Sequence, residues 1–184
     1  MHRLLVRWHM LVAAFLFPAI LMFLVTGALY TWGSKGDYIV SDYEVALAAP
    51  LTDDPAALKQ IAQKALAERD LAVPTGGSSV KKAGDAIQFE WTGANRDIVL
   101  EAQGSATTAK LTVRETGWHR FFVQLHKAKG GTPFKVYAAI VALGLFFLVT
   151  SGLLVAMRVP NMRRGAIGAS IAGVIAFAGV AALS

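Results

Sequence analysis

Cysteine is absent from all 184 residues, which excludes disulfides and thiolate metal sites. Charge is absent from three long stretches: Met10–Thr31, Val136–Met157 and Gly165–Ser184 contain no Asp, Glu, Lys or Arg. Each stretch is about 20 residues or more, enough for a helix to cross a ~30 Å hydrocarbon core. With no charged residue inside any of them, an ion or proton pathway is not indicated, and a transporter acting alone is not expected. Acid is absent from both ends of the chain, since all twelve Asp and Glu lie between Asp37 and Glu115. Missing too are G-x-S-x-G, H-E-x-x-H, a phosphate-binding loop and a dinucleotide fingerprint. GGSS at 76–79 lacks the Lys and helix that would follow in a nucleotide loop.

Apolar bulk fills the gap. Hydrophobic residues make up 55% of the chain and the mean hydropathy is +0.49, which predicts an integral membrane protein. The first run is longer than a secretory h-region and ends in GALYTWG (27–33), with no small-x-small cleavage site, so it reads as an uncleaved helix. Pro18 is expected to bend it. Trp8 and Trp32 flank this run and Trp118 precedes the next, as interfacial anchors.

Basic residues gather at Arg3 and Arg7, between Arg120 and Lys135, and at Arg158, Arg163 and Arg164. The short N-terminal tail and RVPNMRR (158–164) fall on one side of a helix pair, so the positive-inside rule makes both cytoplasmic. Residues 33–131 and the C-terminus are then outside. The basic balance reports this topology and makes lipid the expected partner, with no need for nucleic acid.

Residues 33–116 have the composition of a small folded domain. Asp54-Pro55 predicts a helix start, and Leu58, Ile61, Ala62, Ala65 and Leu66 make the stripe of one buried face. VPTGGSS (73–79) reads as a loop, and Lys81-Lys82 as a solvated strand or loop. AIQFEWT (86–92), DIVLEAQ (97–103) and AKLTVRE (109–115), separated by TGAN and GSAT, predict an antiparallel meander. One helix on three or four strands gives a thin α+β core. Residues 117–131 predict an amphipathic interfacial helix, with Trp118, Phe121, Phe122 and Leu125 on one side and Arg120, Lys127 and Lys129 free for water or phosphate. The remaining divisions are the tail and first helix (1–32), the second membrane helix (132–157), the basic loop (158–164) and the third membrane helix (165–184). Gly165, Gly168, Gly173 and Gly179 give that third helix a small-residue surface, expected to pack on the first two helices or on another subunit.

RWH (7–9) leads to TGALY (26–30), and QLHKAKGG (124–131) leads to TSGLLVAM (150–157). The two runs echo each other, with FLVTG at 23–27 and FLVTSG at 147–152. These pieces resemble the PepSY-associated transmembrane family over nearly the whole chain. The resemblance implies an α-helical membrane protein: three transmembrane helices, with a small PepSY-like α+β extracytoplasmic domain between the first and second. It also implies a bacterial inner membrane and a periplasmic domain. Larger members resemble ferric-siderophore reductases in which histidines near helix ends bind b-type haem, so the matching positions here are His126, His9 and His119. Two departures stand out: such members have four or more helices, and this chain has one small module.

Geometry limits the haem idea. Trp8 and Trp32 are roughly 36 Å apart along a helix, so His9 and His126, at opposite ends of the span, cannot share one iron. His119 and His126 lie on one helix face ~10.5 Å apart and cannot share one either. Open routes are a homodimer, a ligand from another membrane subunit, or His9 with Met157 at the same membrane end. Two functions follow as expectations. One is a subunit of a redox or iron-handling system. The other is a non-catalytic scaffold subunit of a larger complex.

Overall fold

The computed structural model describes residues 2–83, 86–102 and 107–184. Helix α1 spans His2–Thr31, and strand β1 spans Tyr38–Ala46. Helix α2 (Pro55–Ala67) is followed by β2 (Ser78–Ala83), β3 (Ala86–Trp91), β4 (Arg96–Ala102) and β5 (Thr108–Thr116). The helices α3 (Trp118–His126), α4 (Gly131–Arg158) and α5 (Pro160–Ala182) complete the chain. Three helices are long and apolar enough to cross a membrane: Arg3–Thr31, Gly131–Arg158 and Pro160–Ala182. This is a membrane protein with an α+β part.

Contacts divide the chain into two compact units: the chain up to Ile20 with Ala139–Ser184, and Leu21–Ala138. In the first unit, Leu16 is almost fully buried against Gly144, where any Cβ would collide with the Leu16 side chain. Ala19 and Val141 are buried as well. Helix α5 contains no buried residue, and a Cβ at Gly165, Gly168, Gly173 or Gly179 would meet nothing within 4 Å. The expected packing of those glycines on the first two helices is therefore not formed. The basic segment is also more helical than its composition suggests. Pro160 is well suited to a first helical turn, so Arg163 and Arg164 belong to α5 and not to a loop.

In the second unit the five strands form one antiparallel sheet in the order β1-β5-β4-β3-β2. The meander expected from the sequence is there, extended by β2 and by β1, which returns to pair with β5 from Tyr38↔Thr116 to Ala46↔Thr108. β1 escapes sequence reading because its inward residues are mixed with polar ones. Only its pairing with β5 decides that it is a strand. The expected GSAT turn lies largely outside the described residues.

Register aligns Phe89, Leu100, Leu111 and Tyr43 in one row, and Trp91, Ile98 and Val113 in the next. Opposed residues share a sheet face, so these rows form one apolar surface. Helix α2 covers it with Leu58, Ala62, Ala65 and Leu66, all but inaccessible. The start of α2 follows the sequence: Asp54 caps it by accepting the Ala56 N–H at 2.9 Å, with Pro55 at the first helical position.

The opposite face of the sheet receives α3, and in an orientation the composition does not suggest. Val123 and Gln124 are the buried residues, whereas Trp118 is 80% exposed. Arg120 and Lys129, expected to be free, both turn toward the sheet. Gly36 makes the approach possible: its φ is +70°, and a Cβ there would lie 2.5 Å from the Arg120 backbone nitrogen.

Candidate functional site

Two histidines are held by the same device. In the first unit His9, half-buried on α1, places Nδ1 2.8 Å from Ser151 Oγ on α4. Ser151 is 2% exposed and its hydroxyl also reaches the Leu148 carbonyl at 3.2 Å. Gly152 lies beside the ring, where a Cβ would stand 3.5 Å from His9 Cε1.

In the second unit His126, at the end of α3, places Nδ1 2.9 Å from Thr26 Oγ1 on α1. Thr26 is 4% exposed and donates its hydroxyl hydrogen to the Met22 carbonyl at 2.6 Å. Gly27 is the neighbour here, with a Cβ position 3.2 Å from His126 Cε1. The Phe23 ring centroid lies 5.3 Å from that of His126.

Each hydroxyl has a carbonyl and an imidazole nitrogen within reach. A threonine hydroxyl has one hydrogen; when that of Thr26 goes to the Met22 carbonyl, Oγ1 accepts from His126 Nδ1–H. Nε2 then carries the lone pair. Ser151 repeats the pattern with Leu148. Among the described residues neither Nε2 has a hydrogen-bond partner. The echo between FLVTG and FLVTSG thus has a structural counterpart: each copy presents a hydroxyl and the next glycine to a histidine from elsewhere in the chain. Thr26 and Ser151 were legible as an echo but not as histidine partners.

The remaining sequence-based candidates are placed differently. His119 is half-buried beside Trp118, ring centroids 5.7 Å apart, and its buried Nε2 has no hydrogen-bond partner among the described residues. Met157 lies six residues beyond Ser151 on α4, about 9 Å along the axis and roughly 120° around it. The His9–Met157 pair is not brought together; Met157 lines a hollow with Arg158, Arg163 and Arg164. Trp8, Trp32 and Trp118 are 55%, 89% and 80% exposed. Among the described residues, no three His, Asp or Glu side chains cluster as a metal cage.

Residues 2–177 match the PepSY-associated TM region. The chain belongs to that family. No curated protein and no solved structure matches it.

In this PepSY-associated protein the His126 site is braced by a buried polar cluster that sequence reading missed. Asp97 accepts from Tyr38 Oη at 2.6 Å, Gln124 Nε2 at 2.8 Å, Lys129 Nζ at 3.3 Å and the Gly93 N–H at 3.0 Å. Arg120 donates to Tyr38 Oη at 2.9 Å and lies over its ring at 4.3 Å. Burial, followed by the hydrogen bond to Asp97, pushes the Tyr38 phenol above its ordinary pKa. Gln124 is two residues before His126 on α3, so the cluster fixes the helix that carries the imidazole. A lone Asp as the second residue of a hydrophobic strand gives no signal of this role.

Proposed function

We propose that the protein is the membrane subunit of a redox or iron-handling system, in which His126 and His9 would each offer an imidazole nitrogen to a b-type haem. The repeated imidazole–hydroxyl bond carries the reading. A histidine tied through Nδ1 has its ring orientation and tautomer set, and its Nε2 lone pair is available to a metal. The donor set would supply one ligand per site. Each site has an imidazole, a glycine that leaves space beside the ring and, at His126, an aromatic neighbour. A further ligand would come from another copy of the chain or from a partner subunit.

Bound haem would supply one-electron transfer. The residues of the chain orient the imidazoles and keep the Nδ1 proton on the hydroxyl side. In this reading the N-terminus is cytoplasmic and the sheet lies on the periplasmic side, where a ferric complex is the acceptor. Arg3 and Arg7 in the short tail and Arg158, Arg163 and Arg164 after the second span support that orientation.

A dithionite-reduced minus oxidised visible spectrum of the purified protein tests the proposal. The expected result is a b-type α-band that weakens in His126→Ala and in His9→Ala, and disappears in the double variant. A flat spectrum from protein produced with adequate haem overturns it. A second reading, a scaffold subunit without a cofactor, is favoured by one feature: the glycine-rich α5, in which no residue is buried. A flat spectrum together with co-purification of a second membrane protein, lost when Gly168 and Gly173 become Leu, is its expected signature.

A further inference from the structure

The unit formed by the chain up to Ile20 and Ala139–Ser184 contains five arginines and no Asp or Glu. Two hollows in this unit share one residue, Arg158. The first is an apolar groove of about 570 Å³ between α1 and α4, with Leu5, Trp8, Phe147 and Leu154 among its walls. Arg158 is its one charged lining residue. The second hollow, about 360 Å³, is lined by Arg158, Arg163 and Arg164 with Met157, Pro160 and Ile167.

None of these three arginines makes a salt bridge among the described residues. Three guanidinium groups around one hollow repel one another, and no acid in the unit offsets that repulsion. Membrane topology asks for basic residues near a helix end, but it does not ask that they line one hollow, nor that one of them also lines an apolar groove. The start of α5 adds to the field. Pro160 lines the same hollow, and Val159 provides no side-chain cap, so the first N–H groups of a 23-residue helix add partial positive charge.

We infer that this is a binding site for an anionic phospholipid. Its phosphate is held by Arg158, Arg163 and Arg164, and an acyl chain runs along the groove past Trp8 and Phe147. Arginine suits the task because its planar fork takes two phosphate oxygens at once. Arg158 lines both the groove and the basic hollow, and the apolar walls beside it distinguish a lipid from free phosphate, which would leave them uncovered.

Native mass spectrometry of the full chain, released from mixed micelles containing phosphatidylglycerol and phosphatidylcholine with identical acyl chains, tests the site. The expected result is selective retention of phosphatidylglycerol. Three basic contacts at about 1 kcal/mol each correspond to a preference on the order of a hundredfold. R158Q/R163Q/R164Q should abolish the preference, whereas R3Q/R7Q, outside the hollow, should keep it. R158K/R163K/R164K retains the charge needed for membrane insertion and should lose about tenfold, since lysine has no fork. Leu154→Trp, which fills the groove, should weaken retention of both lipids. Equal retention of the two lipids by the native chain overturns the inference. So does loss of preference in R3Q/R7Q equal to that in the Gln triple, or displacement of the lipid by millimolar inorganic phosphate.

Discussion

The sheet and the membrane helices treat polar groups in opposite ways. In the sheet unit an acid, Asp97, is buried to 8% exposure and surrounded by donors from β1, α3 and the following loop. Further pairs decorate its surface, including Arg96 with Glu115 and Lys81 with Glu90. The long helices have no acid at all, and among the described residues their side-chain hydrogen bonds to other helices are those of His9 with Ser151 and of Thr26 with His126 on α3. An imidazole bonded to a hydroxyl satisfies one ring nitrogen with a partner that carries no charge. A buried carboxylate is tolerated only where several donors converge. Polarity in the sheet therefore acts as a brace, and polarity in the helices acts as a way of presenting a nitrogen.

Breaking the brace should have the largest effect. Asp97→Ala leaves Tyr38, Gln124 and Lys129 without their shared acceptor, and its expected cost to the sheet unit is about 3–5 kcal/mol. Denaturant unfolding followed by tryptophan fluorescence measures it. A loss under 1 kcal/mol would mean that α3 is held by Val123 packing alone.

The helix bonds should matter less for stability and differ from each other. Ser151→Ala strands His9 in a half-buried setting, at a cost of about 1–2 kcal/mol, while Thr26→Val costs about 1 kcal/mol or less because His126 is exposed and finds another partner. Imidazole ¹⁵N resonances of the two variants are the sharper measurement: the Nδ1–H tautomer should be lost at the altered site and kept at the other. Tautomer loss at both sites in either single variant would contradict two independently held rings.

The smallest expected effect is acid sensitivity at the sheet surface. The Thr112 hydroxyl, then Lys110, holds the Asp42 carboxyl below its usual range, and Lys82 does the same for Asp53. A carboxylate with a depressed folded pKa stabilises above its unfolded value, near 4, and the contribution fades as pH falls through the folded value. Both groups are fully exposed, so the sheet unit should lose only a little stability between pH 5 and pH 3. Thr112→Val with Lys82→Ala should flatten that slope. An unchanged slope would assign acid sensitivity to other groups.

Much of this was legible in the chain itself. Uncharged runs dictate the three spans, because a charged side chain in hydrocarbon is too costly to place at random. Asp54-Pro55 and the Leu58–Leu66 stripe dictate α2 and its buried face, and alternation in β3 to β5 dictates the meander. These are local signals, with periods of two or 3.6 residues. They state which face is buried but not against what. Only the tertiary structure paired His126 with Thr26, 100 residues away, and His9 with Ser151, 142 residues away. It alone turned Arg120 and Lys129 toward the sheet, added β1 beside β5 and opened the groove that ends at Arg158. A single hydroxyl or arginine leaves no periodic trace, so its role is set by whichever distant segment folds against it.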